Sequence, residues 1–310
     1  MVAMLRQWIG DRRRRDRHPA LPDRAWFDDV DAAAQVDQRA SNDAEHQLLR
    51  SWVRDGYAII EGLVPERLID EMVTDLDAVF DAPAVDLDRL VVNDLELDGH
   101  RRPTTTVAEL RRLDRSDRLA ARDGSSWRIH GFFEHSSAAD RIRELPDLRR
   151  VASLVLGVES HAHYSINFHN GSTQALHEDS AVFHLGVPNL ICGAWIACED
   201  IDDRSGPLVY LPGSHRRPAF SGFTDYPVTN LRTADAATSV AYQQHVDEAA
   251  TQYEQQRFLA RKGDVLLWHG MLVHGGSPIL EPGRTRRSYV LHYIPAGVDV
   301  ADRVIGPTNW

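Results

Sequence analysis

Lysine is almost missing from this chain. Lys262 is the only one among 35 basic residues, the rest being arginine, so an arginine cluster here reports composition as much as function. Cysteine is nearly as scarce. Cys192 and Cys198 are the only two; on one strand they would share a face but stand too far apart to bond. No disulfide framework is expected, and a reducing compartment fits. Surplus positive charge is absent as well. The net charge of −11 argues against a nucleic-acid-binding protein. No apolar run is long enough to span a bilayer, and the start of the chain lacks an extended apolar stretch before a small-residue cleavage site. A cytoplasmic protein is the expectation.

The chain does have enough apolar residues, 43% of 310, for a sizeable core. Residues 1–41 read as a flexible N-terminal arm, its Arg12–Arg15 run a solvated tail. Residues 42–310 read as a single domain. Asn42 can cap a helix that Gly56 would end, "YAIIEGLV" reads as a strand, and Pro65 opens a second helix with apolar residues at Leu68, Met72, Leu76 and Phe80. Residues 82–145 look charged and irregular, apart from a short helix around residues 106–121. "LPDLRRVASLVLG" reads as a helix closed by Gly157.

Short strand-like runs follow: "HAHYSINF", "TQALHEDSAVFH", "LICGAWIACED", "GPLVYLPG", "QRFLARKG", "DVLLWHG" and "RRSYVLHYIP". Many short strands without alternating helices indicate a mainly β fold, a jelly-roll or barrel core with helices packed outside. The polar interruption at 216–256 is long enough to be a lid over the barrel mouth.

If "QALHEDSAVFH" is a strand, its period of two puts His177 and Asp179 on one face. One imidazole and one carboxylate then converge, as an oxygen-activating Fe(II) centre of two His and one carboxylate requires. A second histidine has to come from elsewhere, and His215, His269 and His274 are all candidates. The same period puts Arg286 and Ser288 on one face, a guanidinium and hydroxyl suited to gripping a carboxylate, with Arg287 facing the other way. Asn167 could donate to a ligand from its own strand. In "WRIHGFFEHS", His130, Phe133 and His135 could line a substrate pocket, as could Phe183.

From about residue 50 to 295 the chain resembles the phytanoyl-CoA dioxygenase family of Fe(II)/2-oxoglutarate oxygenases. The resemblance rests on "DGYAIIEGLV", "GSTQALHED", "GAWIACEDID", "GPLVYLPGSHR", "KGDVLLWHGMLVHGGSP" and "TRRSYVLHY". It implies a double-stranded β-helix, with His177, Asp179 and His274 as metal ligands and catalytic residues. It also implies that Arg286 and Ser288 hold the far carboxylate of 2-oxoglutarate, with Trp195 lining that cosubstrate's site. The implied reaction uses Fe(II), 2-oxoglutarate and O2 to hydroxylate a C–H bond of a small molecule, releasing succinate and CO2. Desaturation, epimerisation or oxidative demethylation could begin at the same site. More distant readings are a zinc hydrolase with Glu178 as base, and a non-catalytic jelly-roll binding protein. The sequence does not name the substrate, and it leaves the oligomeric state open.

Overall fold

The computed structural model describes residues 24–183, 189–224 and 231–296. Eleven strands form two antiparallel sheets among these residues. They are β1 (Tyr57–Ile60), β2 (Val91–Leu97), β3 (His100–Thr106), β4 (Arg128–His130), β5 (Ser160–Phe168) and β6 (Cys192–Ala197), then β7 (Leu208–Tyr210), β8 (Gln256–Arg257), β9 (Val265–His269), β10 (His274–Gly276) and β11 (Ser288–Pro295). The large sheet runs β1-β9-β6-β11-β5-β4-β2-β3 and the small one β10-β7-β8. Together they make the expected jelly-roll core.

Helices cover one face of the large sheet: α1 (Ala32–Arg39), α2 (Asp43–Asp55), α3 (Glu66–Asp81), α4 (Val107–Leu110), α5 (Arg115–Gly124), α6 (Ser137–Arg143) and α7 (Pro146–Leu156). An eighth, α8 (Ala236–Gln252), packs at the other side. The caps read from sequence are in place. Asn42 accepts from the Glu45 amide, and Gly56 ends α2 at φ +80°.

Both faces of the central strands are buried, which is why they read as near-continuous apolar runs. Cys192, Ala194 and Ile196 of β6, Val265 and Leu267 of β9, and Tyr289, Leu291 and Tyr293 of β11 join the helix-side core with Met72, Leu76 and Phe80 of α3. Their alternates Trp195, Leu266, Trp268 and Val290 point between the sheets, against Leu208 and Tyr210. This inner space holds the site.

Three expectations need correction. Residues 24–41 do not belong to a free arm. Trp26 and Phe27 are buried in the helix-side core, where the Trp26 Nε1–H donates to the Val155 carbonyl at 2.8 Å and the Arg39 guanidinium lies 4.4 Å from the ring. Residues 1–23, with the Arg12–Arg15 run, lie outside the described residues. Trp26→Ala is therefore expected to cost about 3–5 kcal/mol. Urea unfolding would show it as a lower midpoint at unchanged slope, and an unchanged midpoint would return this segment to the arm.

The second correction is at "TQALHEDSAVFH", of which the described residues 173–183 do not form a strand. His177 makes an isolated bridge to His274, and Asp179–Ala181 is a 3-10 turn. Third, residues 82–145 hold β2, β3 and β4. Asp98 and Gly99, at φ +53° and +74°, turn β2 into β3, a two-residue hairpin of the kind Asp-Gly favours. Within 216–256 a helix runs Ala236–Gln252; residues 225–230 lie outside the described set.

Candidate metal centre

His177 and His274 are joined through their backbones: each amide donates to the other's carbonyl, at 2.9 and 3.0 Å. Asp179 starts the turn that follows, tied down where the Ser180 amide donates to the Gly270 carbonyl at 2.9 Å. The three side chains present one ligand atom each within 4.8 Å of one another. Asp179 Oδ1 lies 3.8 Å from His177 Nε2 and 3.7 Å from His274 Nε2.

The far side of each ring explains the near side. His177 Nδ1 meets the Ala175 carbonyl and His274 Nδ1 the Leu272 carbonyl, both at 2.9 Å. A carbonyl only accepts, so Nδ1 carries the hydrogen and both Nε2 lone pairs face Asp179 Oδ1. The other carboxylate oxygen, Oδ2, accepts from Trp268 Nε1–H at 2.6 Å and lies 3.2 Å from His292 Nε2.

Burial holds the His177 imidazole down to about 4, and lowers His274 as well. Burial pushes Asp179 up, but the surrounding His292, His274 and His177 outweigh it and keep the carboxyl well below the usual range. Two neutral imidazoles and one carboxylate are the donor set that a divalent iron takes on one face.

Arg286 lies beside this cluster, just before β11, and is 2% exposed. Its Nη2 reaches the Ser172 carbonyl at 3.4 Å and its Nε has no partner. Among the described residues no carboxylate lies within ion-pair distance of it. Burial lowers its guanidinium to about 10, against the pull of Glu199. Phe168 and Trp195 flank it at 6.0 and 5.9 Å. A buried cation without a counter-ion is costly unless a ligand supplies the anion. Gly171, at φ +67°, makes room for it: a Cβ there would come within 2.0 Å of Arg286 Nε. Arg287 turns away, pairing with Asp77 at 3.3 Å.

One cavity of about 720 Å³, its mouth included, is bordered by His177, Asp179, His274, Arg286, Trp195, His130 and Phe183. Four other expected residues are not there. Asn167 points the wrong way because Tyr164, Ile166 and Phe168 of β5 take the cavity face; its Nδ2 meets Met72 Sδ at 3.4 Å. Ser288 is buried with its hydroxyl unpartnered, and borders a separate small cavity beside Arg287 and Trp127. Phe133 sits beyond β4 under the Arg143 guanidinium, packed on the helix-side core. His135 follows that turn and is exposed.

Of the three candidate second histidines only His274 reaches the cluster. His215 Nε2 meets the Val53 carbonyl at 3.2 Å and His269 Nε2 faces Asp28 at 3.4 Å. Gly275 and Gly276 do allow a close backbone approach, but to residues 172–176 of this chain: a Cβ on Gly276 would lie 1.6 Å from the Ser172 carbonyl oxygen. Glu178 does not border the cavity; its amide donates to the Tyr242 hydroxyl, and burial raises its carboxyl to about 7 against the opposing Arg217. His292 and Trp268 are site residues that motif reading missed. His292 had a signal, since it stands two residues after Val290 on β11 and both border the cavity.

The phytanoyl-CoA dioxygenase (PhyH) family profile matches residues 52–288. The chain is 30% identical over 127 residues to the phytanoyl-CoA dioxygenase domain-containing protein 1 homolog of Dictyostelium discoideum, covering 40% of this chain and 41% of that protein. It is 30% identical over 122 residues to the peroxisomal phytanoyl-CoA dioxygenase of Rattus norvegicus, covering 39% and 33%. Both alignments span less than half of the relative's length. Among solved structures, the apo form of EctD from S. alaskensis superposes with a TM-score of 0.58 at 17% identity, over 91% of this chain and 86% of that one. The alpha ketoglutarate dependent epimerase SnoN from nogalamycin biosynthesis gives 0.56 at 15%, over 84% and 89%. At such identities the likeness is one of fold.

Proposed function

The chain belongs to the phytanoyl-CoA dioxygenase family, and from that premise we propose that it is an Fe(II)- and 2-oxoglutarate-dependent oxygenase. Its reaction is hydroxylation of a C–H bond in a small-molecule metabolite, with release of succinate and CO2. The observation that carries this reading is that two Nε2 atoms and one carboxylate oxygen converge in a cavity that also holds an arginine with no carboxylate partner among the described residues.

In this reading His177, Asp179 and His274 hold Fe(II), and Arg286 pairs with the far carboxylate of 2-oxoglutarate. Bound iron, with that cosubstrate and O2, supplies the oxidising chemistry. The chain supplies position and dryness. Trp195 and Phe168 flank the Arg286 guanidinium with apolar rings, which strengthens its grip on an anion. His130 and Phe183 border the remaining space, where the substrate would sit. The 216–256 segment acts as a lid, and supporting this, Tyr242 of α8 receives the Glu178 amide hydrogen beside the ligand Asp179. The two buried free thiols suit a cytoplasmic setting. No helix among the described residues is long and apolar enough to cross a membrane. A zinc hydrolase with Glu178 as base loses its support, since that carboxyl lies off the cavity.

Anaerobic titration with Fe(II) and then 2-oxoglutarate tests the reading. A visible metal-to-ligand charge-transfer band is expected from the wild type and not from His177→Ala. Iron binding without the band would sink the cosubstrate assignment. Gly171→Ala is expected to push the Arg286 side chain aside and raise the 2-oxoglutarate concentration needed for that band, with Fe(II) affinity unchanged. A wild-type titration curve would mean Arg286 is not the anchor.

A further inference from the structure

We infer that His292 is a positioning residue for Asp179, acting with Trp268 to hold one carboxylate oxygen so that only the other faces the metal. The inference rests on the proposed ligand role of His177, Asp179 and His274. Oδ2 accepts from Trp268 Nε1–H at 2.6 Å and lies 3.2 Å from His292 Nε2. An ionised carboxylate only accepts, so His292 Nε2 carries the hydrogen. Oδ1 is the atom that the two imidazole lone pairs face.

The elements behind these groups differ in kind. Asp179 stands on a 3-10 turn outside both sheets. Trp268 and His292 stand on β9 and β11, which flank β6 within the large sheet. Both side chains are buried, at 2% and 3% exposed, and each ring is wedged. A Cβ on Gly193 would lie 2.1 Å from the Trp268 ring. Phe183 lies 4.6 Å from the His292 ring, with Tyr164 at 5.7 Å on its own bond to His130. A ligand on a turn thus takes its orientation from two donors on paired strands. Freed from them, the carboxylate can rotate and chelate with both oxygens. That would occupy a position that the His₂-carboxylate arrangement leaves open for cosubstrate and oxygen.

The experiment compares wild type, His292→Phe, His292→Gln and Trp268→Phe by Fe(II) titration and by the visible d–d bands of the cobalt(II)-loaded protein. Those bands weaken as coordination number rises. His292→Phe keeps the ring volume and loses the donor, so Fe(II) affinity is expected to fall about 10–100-fold, with weaker cobalt bands. His292→Gln can return an N–H to Oδ2 and is expected to restore both. Trp268→Phe is expected to behave like His292→Phe, and decides the matter if that variant does not fold. Wild-type affinity and spectrum in the two Phe variants would overturn the inference, as would a Gln variant no better than Phe. Failure of the wild type to bind Fe(II) would instead bring down the proposed function.

Discussion

Asp179→Ala is expected to lower Fe(II) affinity by more than about 100-fold, beyond the usual effect of losing an outer hydrogen-bond partner, and to abolish 2-oxoglutarate turnover. The geometry separates this loss from a loss of folding. Oδ1 faces the Nε2 atoms of both imidazoles at 3.8 and 3.7 Å, acceptor against acceptor, an arrangement that a bound cation would stabilise. Alanine also leaves the Trp268 and His292 donors without an acceptor, at about 1–3 kcal/mol for each buried unsatisfied group. Asp179→Asn is the sharper variant. Its oxygen can still accept from Trp268 and His292, while its NH₂ can donate to the two Nε2 atoms. The asparagine protein is expected to match or exceed the metal-free wild type in thermal stability while failing to bind Fe(II). An asparagine variant that retains full turnover would remove Asp179 from the ligand set.

Arg286→Met carries the second large effect, and it too has two signs. Losing the charge-assisted grip on the far carboxylate is expected to cost about 3 kcal/mol, roughly 100-fold in the 2-oxoglutarate requirement. In the absence of cosubstrate the same change removes a buried cation with no carboxylate at ion-pair distance and an unpartnered Nε. Replacing such a group by an apolar side chain of similar length is expected to leave the melting temperature unchanged or higher. Arg287→Met should barely alter the cosubstrate requirement, because Arg287 pairs with Asp77 on the other side of the strand. If Arg287→Met is the damaging one, the anion site lies on the wrong side of β11.

His177, Asp179 and His274 are legible in the sequence for a reason that is only partly the geometric one. H-x-D suggests two side chains on one strand face, whereas the chain delivers them by a single bridge followed by a 3-10 turn. Spacing restricts which residues can converge, and several backbones satisfy one spacing. Arg286 was readable from alternation in so far as it set that residue apart from Arg287, which pairs with Asp77 on the other side; the same alternation failed for Ser288. Asn167 was not, because a strand buried on both faces gives no hydropathy cue to which side chain meets the cavity. The strand β2 and its partner β3 had a local cue in Asp98-Gly99, masked by the charges around it. Trp26 and Phe27 had none, since their packing partners Val155, Trp52 and His269 lie far along the chain. Trp268 became visible only once Asp179 had a position.

The order in which the strands lie has a consequence for synthesis on the ribosome. β11, the last strand among the described residues, does not close an edge; it lies between β6 and β5 in the large sheet. A nascent chain that has emerged past His274 owns all three proposed ligand residues and still lacks the His292 donor and a central strand of that sheet. Long-range pairing of this kind comes late in folding. With the proposed ligand set, the Asp179 carboxylate would be held in its metal-facing orientation only after β11 has paired between β6 and β5.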